Sequence, residues 1–248
     1  DPFQNGVLST YTSGGSAEDS FNIQLLFEGN QWTVALQQAF VDATEFLSDI
    51  IIGDTQDTPS VFGRDPVDDL QIEVNLESID GVNNTLAFAG PRGIGNEDLP
   101  YSGTSTFDVA DAERLNDRGQ LDDVVVHEFF HVLGFGTIFN REGLLENNRF
   151  VGEFTTQLYN DVYTEISDND PGSANGLPTQ QGGGHFAEGV FEDELNTPVL
   201  DFSGNYLSTL SVAALEDLGY DTFLDNPFDP DDLFGPAPTT SILDTDFI

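Results

Sequence analysis

Cysteine and methionine are absent from this chain, and so is lysine: its six basic residues are Arg64, Arg92, Arg114, Arg118, Arg141 and Arg149. Without cysteine there are no disulfides, and cysteine usage says nothing of the redox compartment. Six cations against 45 acidic residues leave a formal charge of −39. That balance excludes binding to nucleic acid or anionic membrane, both of which need clustered cations. No apolar run approaches the roughly 18–20 residues of a membrane span. The opening DPFQNG has neither a basic n-region nor an apolar h-region, so no signal peptide is expected and the chain reads as a processed or trimmed product. Histidine is nearly absent as well, with three copies.

So much like charge pushes a folded chain apart. Salt shortens the screening length from about 10 Å at 0.1 M to about 3 Å at 1 M. The acidic, lysine-free composition therefore suggests a saline setting or bound divalent cations; a plain solubility coat is the other reading.

Apolar residues make up 38% of the chain, with 21 phenylalanines, enough for a real core. FNIQLLF (21–27) reads as a strand and 32–51 as a long helix with apolar residues near helical spacing. LQIEVNLESI (70–79) alternates as a half-buried strand does, and TLAFAG (85–90) reads as a strand ended by Gly90-Pro91. FDVADAERLND (107–117) reads as a strand end leading into a short helix, and LDDVVVHEFFHVL (121–133) as a helix. Beyond Gly134 one helix is expected over 150–166, low-complexity loop over 167–184 and a last helix over 207–220; residues 1–20 read as an arm and the proline-rich tail from 221 as surface wrap. The expected domains are an α/β subdomain, 1–134, and a second subdomain, 135–248, together one catalytic unit.

Within 121–133 stands His127-Glu128-Phe-Phe-His131. Residues four apart share one helix face, so both imidazoles can reach one ion, with Glu128 beside them. Zinc favours imidazole, and a catalytic zinc keeps three protein ligands and an open position. The apolar surroundings of the pair mean that its polar groups need partners. Thr137, where one zinc-protease class places its third histidine, is a poor ligand. His185, the one remaining histidine, follows three glycines that let the backbone turn sharply. The competing third ligand is Glu153, a carboxylate at the start of a predicted helix.

His-Glu-x-x-His-x-x-Gly, a long insertion, then Gly-Gly-Gly-His and Glu-Leu-x-Thr-Pro resemble the leishmanolysin-type metzincins and their bacterial relatives. LSTLSVAALEDLGY is similar to the helix that follows in that family, so the resemblance spans roughly 85–220. It implies an α+β, zincin-like fold: a twisted sheet with a backing helix and an active-site helix, then a loop-rich and helical C-terminal subdomain. It also implies a secreted or surface zinc (Zn2+) endopeptidase acting on protein or peptide substrates. His127, His131 and His185 would be the zinc ligands, Glu128 the general base and Gly134 the turn after the helix. One position departs: where the family has methionine after Glu-Leu, this chain has Asn196. The family's disulfides are missing too. The rival reading is a zinc-binding pseudoprotease or adhesion protein with a structural zinc, which the change at 196 supports and the retained Glu128 opposes.

SDNDPGSANG (167–176) and DNPFDPDD (225–232) space carboxylates as calcium (Ca2+) loops often do, and equally as solvated acidic loops do. GPRGIG (90–95) lacks the lysine and spacing of a phosphate loop. Tyr159 and Tyr206 are candidate oxyanion stabilisers, with packing the alternative role for each.

Overall fold

The computed structural model describes residues 2–4, 6–14, 20–58, 66–201 and 204–224. It is mixed α+β, and the chain divides into two compact units, Asp1–Leu133 and Gly134–Ile248.

The first unit is built on alternation. Strand β1 (Thr10–Thr12) falls in the expected arm and pairs antiparallel with β2 (Ile23–Glu28). Helix α1 (Val34–Ile50) follows, its first turn closed by the Thr33 side chain accepting from Leu36 N. In β3 (Leu70–Glu77), Leu70, Ile72, Val74 and Leu76 are buried while the residues between them are not, as a period of two requires. Strands β4 (Ala87–Ile94) and β5 (Pro100–Asp108) complete one mixed sheet, ordered β1-β2-β3-β5-β4. The inner three strands run parallel, and both outer strands are antiparallel to their neighbours.

β4 runs on through Pro91, past the end expected at Gly90. Register shifts lie between Pro91, Gly93 and Ile94. Proline lacks an N–H to donate, and an outermost strand with a bulge is where a sheet tolerates that loss.

Two helices complete the unit: α2 (Val109–Asn116) and α3 (Leu121–Leu133). Asp108 caps α2, accepting from Ala110 N and Asp111 N through Oδ1, while its Oδ2 accepts from Ile79 N (2.7 Å) and Gly81 N (3.2 Å). Burial alone would lift this carboxyl, yet the backbone donors of Ile79, Gly81, Asp111 and Ala110 hold it below the usual carboxylate value. One buried group thus ties the loop after β3 to the start of α2. Phe40 of α1 stacks edge-on against Phe107 of β5 (4.9 Å between centroids) and Phe129 of α3 (6.2 Å).

Helix α3 is buried almost all round, from Leu121 to Leu133. A helix with apolar residues on every side belongs in a core, and this one lies directly on the sheet. A Cβ at Gly103 of β5 would run into the Val132 side chain and the Gly90 carbonyl, so that glycine is the seat of the helix.

The second unit is finer-grained. Strands β6 (Leu145–Glu146), β7 (Arg149–Phe150) and β8 (Leu177–Pro178) form a small antiparallel sheet. The single helix expected over 150–166 is instead α4 (Glu153–Asp161) and α5 (Thr164–Ser167). Phe150 is committed to β7, and the chain leaves the helix at Tyr163, whose hydroxyl meets Thr209 Oγ1 at 2.9 Å. Helix α6 (Glu188–Phe191) and helix α7 (Thr209–Leu218) follow.

Helix α4 starts at Gly152, which has no capping side chain. Asp217 of α7 supplies it, accepting from Phe154 N (3.0 Å), Thr155 N (2.9 Å) and Thr155 Oγ1 (2.6 Å). Any Cβ at Gly152 would collide with that carboxylate. Among the described residues no helix is long and apolar enough to cross a membrane.

Candidate metal centre

His127 and His131 lie on one face near the C-terminal end of α3. Their Nε2 atoms are 3.2 Å apart and their rings meet edge to face, with centroids 4.7 Å apart. His131 is buried and His127 half-buried. Two nitrogens held tetrahedrally at zinc's bond length of about 2.0–2.1 Å stand about 3.3 Å apart, so the pair has the spacing of two ligands on one ion. One ligand nitrogen from each of His127, His131 and His185 forms a group lying within 4.8 Å of one another.

Glu128 is 6% exposed, and its Oε2 is buried with no hydrogen-bond partner. Burial pushes its carboxyl up to about 8. A buried acceptor left unsatisfied costs about 1–3 kcal/mol, more when charged. The three histidines could hold a metal ion, and the buried, unpartnered Glu128 carboxyl is next to His127 in the sequence.

The segment bearing His185 is closed locally. Gln180 N donates to His185 O (2.9 Å), Gly183 N donates to Gln180 O (2.9 Å), and Thr179 bridges Phe186 antiparallel. Gln180 also acts through its side chain, since Oε1 lies 2.9 Å from His185 Nδ1. A carboxamide oxygen can only accept, so Nδ1 carries the proton and Nε2 is left with its lone pair. Gln180 thereby favours the tautomer that leaves Nε2 free for a metal. Gln180→Ala should weaken zinc binding by about 10- to 100-fold, measured by chelator competition. Unchanged affinity would show that the hydrogen bond does not matter.

Gly134 adopts φ +113°, and its carbonyl accepts from Thr137 N and Ile138 N, turning the chain as expected. Gly136, at φ +68°, approaches Gly184 so closely that a Cβ would enter the Gly184 carbonyl group. The backbone after the turn and the backbone before His185 are thus in direct contact. Phe135, Phe139, Phe150 and Phe186 pack as an aromatic chain, with centroids 4.4–5.0 Å apart.

Thr137 is exposed in the turn. Glu153 is exposed in the first turn of α4 and is not part of the histidine group. Tyr159 is fully buried, donating to Asp170 Oδ2 (3.3 Å) and packing on Phe191. The Tyr206 hydroxyl donates to Phe191 O (3.4 Å). Both tyrosines therefore have structural partners. In the loop 167–176, Asp170 pairs with Arg149 and accepts from Gly172 N, so its charge is answered by a guanidinium. The acidic stretch 225–232 and the tail beyond 224 lie outside the described residues. Asp54, Asp68 and Asp69 form a second group of potential cation ligands, which the sequence reading missed. Asp69 already accepts from Asn22 N, Thr55 N and Thr55 Oγ1.

Gln180 and Gly136 were also missed. The signals were present: a carboxamide before the glycine run, and a second glycine in Gly134-Phe135-Gly136. Neither shows its partner without the fold.

No family model matches the chain, and no curated protein matches it in sequence.

Proposed function

We propose that the chain is a zinc-dependent endopeptidase of the metzincin type, resembling the leishmanolysin-like enzymes and acting outside the cell. The observation that carries this reading is the histidine group with the buried, unpartnered Glu128 carboxylate next to His127 in the sequence. A structural zinc would need no such carboxylate, and holding one there is costly.

In this reading His127, His131 and His185 hold the ion. Zinc bound there supplies a Lewis acid that polarises the scissile carbonyl and brings the pKa of water near neutrality. Glu128 takes the proton of the attacking water and delivers it to the leaving amine. Burial alone favours its neutral acid; a cation held by the histidines would favour the carboxylate that can take this proton. The outermost strand β4 offers backbone groups to an extended peptide, a common mode of peptide recognition.

The test joins metal content to hydrolysis of a quenched peptide or casein. The chain as purified should carry about one zinc, lose hydrolysis on dialysis against chelator and regain it with zinc. His185→Ala should lose both metal and activity. Full zinc retention by His185→Ala would remove that residue from the ligand set, and metal-independent hydrolysis would overturn the reading.

A further inference from the structure

Among the described residues the fully buried carboxylate of Glu194 has no arginine partner; it is answered by hydroxyls and backbone amides. Its Oε1 accepts from Ser208 N (3.2 Å), Ser208 Oγ (2.9 Å) and Ser211 Oγ (2.6 Å), and its Oε2 from Asn196 N (2.6 Å). Ser208 is the N-cap of α7, so the carboxylate sits where the helix's free N–H groups and positive end favour an anion. Ser211 in turn accepts from Asn196 Nδ2 (2.9 Å). Because the Ser211 proton goes to Glu194, its oxygen can only accept from Asn196, and the carboxamide is held one way round. The remaining Asn196 Oδ1 is buried without a partner. The result is a directional chain from Asn196 through Ser211 to Glu194, every member fully buried.

Burying a carboxyl group with three polar side chains is not an economical way to fill space, since an apolar cluster of similar volume is often as stable. This buried network also meets the segment that carries His185. The Asn196 carbonyl accepts from Phe186 N at 3.0 Å, and Phe186 follows His185. Thr197 Oγ1 donates to Glu194 O (2.9 Å), tightening the same turn.

We propose that Glu194, Ser211 and Asn196 are positioning residues for His185: the buried chain fixes the turn 194–197, and the turn fixes the backbone on the C-terminal side of the ligand. Gln180 holds the imidazole from the other side, through Nδ1. The histidine is thus set from both flanks, one of them anchored on α7. The inference rests on the metal reading for its purpose, but not for its mechanism.

Three variants separate the contributions. Ser211→Ala removes the central hydroxyl. Ser211→Thr keeps a hydroxyl. Glu194→Gln keeps shape, but its amide nitrogen must face either Asn196 N–H or Ser208 N–H, donor against donor. Two readouts are taken on the full chain at a temperature where each variant is folded by circular dichroism. The first is zinc affinity by chelator competition, expected to fall 10- to 100-fold in Ser211→Ala and Glu194→Gln and to be retained within threefold in Ser211→Thr. The second is hydrogen exchange of the Phe186 amide in the metal-free chain, expected to speed up at least tenfold in the same two variants, while amides of β3 stay protected.

Zinc affinity within twofold of wild type in folded Ser211→Ala would overturn the proposal, as would unchanged Phe186 exchange. Should Glu194→Gln fail to fold, the pair at Ser211 decides. If the wild-type chain binds no zinc, the metal reading fails by itself, and the Phe186 exchange still decides whether the buried chain holds this segment.

Discussion

Glu128→Ala is expected to lower peptide hydrolysis by about 10²–10⁴-fold, the usual contribution of a positioned general base, while zinc content stays at the wild-type level. Glu128 Oε2 has no hydrogen-bond partner among the described residues, and the residue is 6% exposed in a helix that is buried almost all round. Removing it deletes a group that the fold has not otherwise employed. The melting temperature of the metal-free protein should therefore stay level or rise, since an unsatisfied buried acceptor disappears with it. Glu128→Gln keeps the volume and should show the same loss of hydrolysis, which separates proton transfer from packing. Equal hydrolysis by wild type and both variants would sink the protease reading. Loss of zinc in both would recast Glu128 as part of the metal's holding structure.

Gly136→Ala is the second large effect, and Gly143→Ala is its matched control. Both glycines have positive φ, +68° and +73°. A Cβ at Gly143 meets open space, whereas at Gly136 it meets the backbone of Gly184. The left-handed conformation costs a non-glycine residue about 1–2 kcal/mol, and Gly143→Ala should lose that much stability with zinc affinity unchanged. Gly136→Ala bears the same cost and must also displace main chain next to His185, which no rotamer change can relieve. It should unfold at markedly lower urea concentration and bind zinc at least tenfold more weakly. Equal stability and equal affinity in the two variants would show that the close approach is unimportant.

Much of this was legible in the sequence because the signals were local. Alternation over Leu70–Glu77 marks a strand, and apolar residues on all sides of 121–133 mark a buried helix, which coincides with α3. The paired histidines follow from helical spacing, and His185 followed from scarcity, being the last histidine left. What was not legible depends on partners distant in sequence. The cap of α4 comes from Asp217, 62 and 63 residues away. The strands of the small sheet are two residues long, too short for any period to appear. The break at Tyr163 reflects a bond to Thr209, 46 residues on, which outweighs the continuing helical pattern of 150–166. Asn196 appeared in the sequence as a mere departure from a family pattern; the fold shows it engaged with Ser211 and with the residue after His185.

The short bonds that close residues 179–186 on themselves have a kinetic and entropic consequence. Gln180 N–His185 O, Gly183 N–Gln180 O and the Thr179–Phe186 bridge all lie within this small hairpin. A flexible loop would have to surrender on the order of 1–2 kcal/mol of backbone entropy per residue as it closed on an ion. Here folding of the chain has already met that cost, so a cation arriving at the three histidines finds the third ligand's loop ordered in advance. Capture should then be limited by the ion's own dehydration and by encounter, not by the search of a mobile loop for its partner.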